Sequence, residues 1–349
     1  MKPMRPIPRG GSAGFFRGRY KEATEDFVVE EVPAYEPGGS GDHVWMWIEK
    51  RGLSTLDLLH ELALHLECDE RAFGIAGLKD AQAISRQWVS LEHADERRCA
   101  SLRGERFAVL RTSRHGNKLR MGHLRGNRFV VVLRGTATGD LGKAQQNLAE
   151  LVRLGVPNYF GEQRFGKRGA NLQKGIDVLR GNARAFAARM PRRVFGLVIS
   201  AVQSDVFNRV VAARRSALGT LQAGDLAFLH KNGAVFAVDD AAREQPRADS
   251  FELSPTGPMP GPEMPAPGGE VLAIEQDALR QLELTPADFE GLPFRLARGE
   301  RRPLRVPVTD ADASEVPAGL QLQFTLPRGA YATAVLRELL DQTIWFAGN

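Results

Sequence analysis

Cysteine is nearly missing from this chain of 349 residues: only Cys68 and Cys99 occur, with no Cys-x-x-Cys pair or Cys/His cluster around either. That spacing supports neither a zinc site nor a disulfide framework, and points to structural or incidental thiols. Also missing is any run near the about 18 uninterrupted apolar residues that a membrane span needs. The N-terminus has no apolar core of the kind a secretory signal carries. These absences point to a cytoplasmic protein. What is present is 43% hydrophobic residues over a length that exceeds a single core, so two domains are expected.

Acid is missing locally. Arg111, Arg114, Lys118, Arg120, Arg125 and Arg128 lie in a span without one Asp or Glu, although the whole chain carries a formal charge of only +5. Arg298, Arg301, Arg302 and Arg305 form a second basic cluster, and Lys167, Arg168 and Lys174 a third. Charge runs are often plain solvated faces, but three such clusters suit a polyanionic partner.

Residues 43–49, His-Val-Trp-Met-Trp-Ile-Glu, are apolar on both alternating faces, as a buried strand is. A helix is expected next, started by Ser54 with Asp57 and carrying Leu56, Leu59, Ala63 and Leu66 on its apolar stripe. Phe129 to Leu133 reads as a second buried strand and Leu141 to Leu154 as a helix. Further on, a helix is expected near 199–215 and a hairpin around Lys231-Asn232-Gly233. The Pro- and Gly-dominated stretch 254–269 reads as an irregular surface excursion. Strands at Leu304 to Val308 and Gln321 to Leu326, then a helix from Ala330 to Leu340, close the chain.

Three well-known signatures are approached and not met. Gly161-x-x-x-x-Gly166-Lys167 begins like a phosphate loop, but Arg168 stands where a magnesium-binding Ser or Thr is required. His60 and His65 are five residues apart, which turns them away from a common helix face and from shared metal ligation. Gly39-Ser40-Gly41 follows Pro37 in a turn-like stretch and lacks the spacing of a nucleophile elbow.

The most informative segment is Gly77-Leu78-Lys79-Asp80 with Ala83, Ser85 and Gln87, placed after the apolar run Phe73 to Ala76. A carboxylate held at a strand end is a candidate nucleophile or base. The ordinary alternatives for Asp80 are a helix cap or an ion-pair partner.

This segment resembles the signature of the TruD family of tRNA pseudouridine synthases. Other blocks resemble the family in family order: Arg111 to Phe129 with His115, Lys118, Gly122, Gly126, Asn127 and Phe129, then Asn158 to Gly166. Gln203-Ser204 with Phe207-Asn208, and Leu326-Pro327 with Gly329 and Tyr331-Ala332-Thr333, complete the set. The resemblance implies an α+β fold, with a catalytic domain of mixed or antiparallel sheet and flanking helices, and an inserted α/β domain forming a cleft with it. Applied here, the catalytic domain is 1–154 and 304–349, and the insert is 155–303.

By the same resemblance, Asp80 is the catalytic carboxylate, and Phe27, Lys79, Asn127, Phe129 and Tyr331 bind the substrate. It implies a monomeric enzyme that isomerises a uridine in tRNA, at position 13 of glutamate and related tRNAs, and uses no cofactor and no metal. The basic clusters would then grip phosphates, and Lys79 would be available as the cationic neighbour of Asp80. The chain departs from the family pattern at Ala81, where a basic residue is common, and at Ser85, where Thr is. Tyr331 stands where some members have Phe. Two rival readings remain: a non-catalytic RNA-binding protein on the same scaffold, and a glycoside-type hydrolase, which needs a second carboxylate that no motif supplies.

Overall fold

The computed structural model describes residues 11–181, 183–293 and 297–341, together with Pro3. In chain order its strands are β1 (Phe27–Pro33), β2 (His43–Arg51), β3 (Gly74–Ile75), β4 (Ile84–Glu92), β5 (Phe107–His115), β6 (Leu124–Leu133) and β7 (Val156–Pro157). They continue with β8 (Leu226–Leu229), β9 (Val235–Ala237), β10 (Leu253–Met259), β11 (Glu300–Pro303), β12 (Arg305–Val306), β13 (Thr309–Val316) and β14 (Gly319–Pro327). The helices are α1 (Thr55–Leu66), α2 (Glu96–Ala100), α3 (Asp140–Leu154), α4 (Ala170–Arg180), α5 (Ala183–Arg189), α6 (Arg192–Ala213), α7 (Ala241–Asp249), α8 (Gly269–Arg280) and α9 (Ala332–Leu339).

The described residues divide into two compact units: Gly11–Val152 with Val308–Ala332 and the residues from Leu339 on, and Arg153–Pro307 with Thr333–Glu338. The first unit is built on an eight-stranded sheet of order β13-β14-β6-β1-β4-β2-β5, with β3 added beside β4. The β1–β4 pair is parallel and its neighbours are antiparallel, so the sheet is mixed. β2 is buried on both faces because each meets a different partner. Val44, Met46 and Ile48 pack under Leu58, Leu59 and Leu62 of α1, whereas Trp45 and Trp47 join Trp88 of β4 in a separate aromatic cluster.

α1 begins where its sequence says it should: the Ser54 side chain accepts from the Asp57 N–H. Its stripe is rotated from the one expected, however. Leu56 is 59% exposed, while Leu58 and Leu62 take the core side. The two candidate stripes differ by a fraction of a turn, and only the sheet beneath decides between them.

In the second unit the 22-residue α6 is the central core element, packed among Phe165, Leu172, Ile176 and Leu279. By length and composition this helix could cross a membrane, yet 72% of its most apolar stretch is buried inside the protein. Its buried polar residues serve the core. The Asn208 side chain bonds both the N–H and the carbonyl of Phe160, and Gln203 donates to the Pro260 carbonyl. Two of the sequence blocks, 158–166 and 203–208, are thereby locked to each other.

A four-stranded sheet of order β11-β10-β8-β9 completes this unit, with the expected hairpin turning at Gly233 in the left-handed region. Stretch 254–269 is irregular over 260–268, as expected, but not before that. Its first part is β10, buried along its whole length and paired with both β8 and β11. Pro255 and Pro258 remove donors, but Thr256 Oγ1 donates to the Leu226 carbonyl and Arg301 donates back to Thr256. At Gly257 a side chain would collide with Leu304 and the Phe207 ring. Tertiary partners here override the composition rule. The expected strand at 304–308 is shortened to β12, which pairs with β7, while the residues just before it form β11 in the four-stranded sheet.

Of the expected catalytic-domain span, residues 1–2, 4–10 and 342–349 lie outside the described residues.

Candidate active site

Gly77 to Asp80 form the loop between β3 and β4, and its backbone is pinned by side chains from other elements. Thr55, at the first turn of α1, accepts from the Lys79 N–H at 2.8 Å and donates to Gln87 of β4 at 3.0 Å. The Lys79 ammonium points inward, 3.2 Å from Glu31 Oε2, with both side chains almost fully buried. Burial pushes the Glu31 carboxyl above the usual carboxylate range, and Lys79 opposes that shift. The second Glu31 oxygen accepts from the Trp88 N–H at 3.4 Å. Removing one member of such a pair leaves an uncompensated buried charge.

With Lys79 turned inward, the Asp80 side chain goes the other way and is 62% exposed. Its cation is therefore not Lys79, as the sequence suggests, but Lys21, whose Nζ lies 3.1 Å from Asp80 Oδ2. The same ammonium stands 4.3 Å from the centroid of the Phe27 ring. One charge is shared between a carboxylate and an aromatic face, which ties Asp80 to the ring beside it. Lys21 itself has a left-handed backbone, φ 62°, at the turn leading into β1.

β1, β6 and β14 lie side by side, and their register stacks three rings on one face. Phe27 is 6.1 Å from Phe129, and Phe129 is 5.5 Å from Phe324, its direct cross-strand partner. Phe27 and Phe129 are buried, at 3% and 6% exposure. Asn127 lies two residues before Phe129, opposite Glu31 on β1 and Leu326 on β14. Its Oδ1 is buried and has no hydrogen-bond partner among the described residues. An acceptor left open in a folded interior is available to a ligand donor. Tyr331 stands 47% exposed on the segment that follows β14.

Of the residues singled out in the sequence, direct contacts join Asp80 to Phe27 through Lys21, and Phe27 to Phe129. Asn127 shares their sheet face. Lys79 is committed to the interior, and Tyr331 is exposed on the segment that follows β14. The sequence reading missed Lys21, Glu31, Thr55 and Phe324. Glu31 carried a usable signal: Phe27, Val29 and Glu31 share one face of a strand, so an acid there demands a buried partner. Lys21 carried none, being 59 residues from Asp80.

The basic clusters resolve into two kinds. Arg301 is buried against Glu275 at 2.6 Å, and buried Arg305 donates to the Leu154 and Ala248 carbonyls. Arg302 lies over the Phe160 ring and bonds Asn158. This cluster builds the core, against the expectation that it meets a polyanion; Arg298 alone of the four is exposed. Arg111, Arg120 and Arg125, and in the second unit Lys167, Arg168 and Lys174, are exposed.

The sequence model described as tRNA pseudouridine synthase D (TruD) matches residues 12–190 and 182–339. A tRNA pseudouridine synthase D of Geobacter metallireducens is 41% identical, with 93% of this chain and 95% of the relative covered. One from Anaeromyxobacter dehalogenans is 42% identical, with 92% of each covered. A TruD-type crystal structure from Methanosarcina mazei superposes with a TM-score of 0.78 over 97% of this chain and 95% of that one, at 22% identity, which supports the fold. With a match that runs through nearly every described element, including the Asp80 loop and the strands that carry Asn127 and Phe129, this chain belongs to the tRNA pseudouridine synthase D family.

Proposed function

We propose that this chain converts a uridine in tRNA to pseudouridine, with uridine 13 of glutamate and related tRNAs as its target. The observation that carries the reading is an exposed carboxylate, Asp80, held by Lys21 against the rim of a ring-lined sheet face. Isomerisation breaks the bond from ribose C1′ to uracil N1 and remakes it from C1′ to C5. The proton lost from C5 is balanced by the one gained at N1, so no redox partner or donated group enters the balance. Asp80 acts on the ribose, either by attacking C1′ or by removing a sugar proton.

A uridine in folded RNA is reached only when flipped out of its stack, at a cost of a few kcal/mol that ring contacts and edge hydrogen bonds offset. In this reading Phe27 and Phe129 line the pocket, Asn127 Oδ1 accepts from the uracil N3–H, and Tyr331 covers the base. Lys79 supports the loop through Glu31 and does not touch the substrate. The exposed cations named above contact phosphates, which makes binding salt-sensitive. Residues 1–154 and 304–349 form the catalytic domain and 155–303 the insert. The protein works as a monomer in the cytoplasm, where tRNA is found.

Asp80→Asn tests the assignment: pseudouridine formation on unmodified tRNA is abolished, while affinity for tRNA stays within about a factor of ten, as expected for a group acting in the transition state. Full turnover by that variant removes Asp80 from the chemistry.

A further inference from the structure

Among the described residues Lys50 is the largest charged residue buried without measurable exposure, near the C-terminal end of the apolar strand β2. Lysine is almost never so placed unless its ammonium has partners, because an unpaired buried charge is costly. Its neighbours Glu49 and Arg51 pair with each other at the margin of the sheet, and Lys50 alone turns inward. Its Nζ donates to two backbone carbonyls: that of Leu53, 2.5 Å away, at the approach to α1, and that of Asp80, 2.9 Å away. One ammonium thus ties β2, the entry to α1 and the carbonyl of the residue carrying the exposed carboxylate.

The hold complements the others on this loop. Thr55 fixes the Lys79 N–H and Glu31 fixes the Lys79 ammonium, so the residue before Asp80 and the Asp80 carbonyl are held by partners in three different elements. With those groups fixed, the direction in which the Asp80 side chain leaves the loop is set by the frame rather than by its own exposed ion pair, which is weak in water. We propose that Lys50 is a positioning residue for the reaction, aiming the Asp80 carboxylate through its main-chain carbonyl. This inference rests on the reading of Asp80 as the catalytic carboxylate.

The charged groups facing Lys50 are Asp80 and Lys79 on the loop and Asp57 on α1. Burial pulls its ammonium down to about 8, Asp80 and Asp57 raise it, and Lys79 lowers it. The charged donor is therefore present at neutral pH and lost as pH rises through about 8. Charged donors make the stronger hydrogen bonds, so the grip on the Asp80 carbonyl weakens over that range.

The test compares Lys50→Met, Lys50→Arg and Asp80→Asn with the unaltered full-length chain on unmodified tRNA, following pseudouridine formation, tRNA binding and thermal melting from pH 6.5 to 9.5. Lys50→Met is expected to lower kcat about 100-fold at pH 7 with tRNA affinity unchanged, the scale of loss that follows a small misplacement of a reacting group. Lys50→Arg recovers part of that loss. The unaltered chain loses turnover above about pH 8, whereas residual Lys50→Met turnover is level there. The inference is overturned if Lys50→Met keeps full turnover, or if its alkaline decline matches that of the unaltered chain. Should Lys50→Met not fold, the arginine variant and the unaltered profile decide: full turnover in the first together with a level second overturns it. An active Asp80→Asn variant defeats the underlying reading instead, whereas an inactive one beside a fully active Lys50→Met defeats only the role of Lys50.

Discussion

Both units bury charged side chains, and they use them differently. In the α6 unit the pairs are closed: Arg214 with Asp225, Arg301 with Glu275 and Arg209 with Asp205 meet at 2.5 to 2.8 Å. Arg301 also satisfies Thr256, and Arg214 the Thr220 carbonyl. In the large-sheet unit the charges run in a relay from inside to outside. Glu31 and Lys79 are buried, Lys50 grips a carbonyl, and the line ends on an exposed carboxylate that shares one cation with an aromatic ring. A closed pair holds a core together. An open end leaves a charge whose position is fixed while its oxygens remain accessible, which is what a reacting group requires.

The comparison is broken most forcefully at Arg301. Replacing it with Ala leaves Glu275 buried and unpaired, and denaturant melts should show a loss of about 3–5 kcal/mol. Lys21→Met at the open end should do the reverse. Its partner Asp80 is largely exposed to water, so stability changes by only about 1 kcal/mol. Turnover should fall about 100-fold, the effect of removing one preorganised charge from a reacting site. If Lys21→Met instead unfolds the chain while Arg301→Ala melts normally, the division between closed and open charges is wrong.

The smallest effect is acid sensitivity in the α6 unit. His230 bonds Ser254, and burial, with Arg305 nearby, lowers it from 6.5 to about 4. The unfolded chain therefore takes up a proton between those values that the folded chain refuses. Stability is unaffected above pH 6.5 and declines as pH falls toward 4. His230→Gln should flatten that decline in a series of melts across this range.

Much of the fold was legible where one segment carried its own instructions. β2 was visible from its apolar residues, the start of α1 from Ser54 and Asp57, and the β8–β9 hairpin from Asn232-Gly233. β10 was not, because its prolines are tolerated only through Thr256 and Arg301, which no local rule supplies. The second arginine cluster was misread for the same reason. Arg301 and Arg305 look like a surface charge run until Glu275, Leu154 and Ala248 are brought against them. At the candidate site Asp80 stood out, but its cation came from residue 21 and the residue next to it faced the interior.

The sequence alone determined the periodicities, caps and turns, and it carried the motifs that place the chain in its family. Those depend on neighbours a few residues apart, whose geometry the covalent chain already sets. Only the tertiary structure decided which charges are buried, which cation meets which carboxylate and which carbonyl Lys50 holds. The strength and cost of a charge follow from how much water surrounds it, and that is settled by packing between residues far apart in the chain.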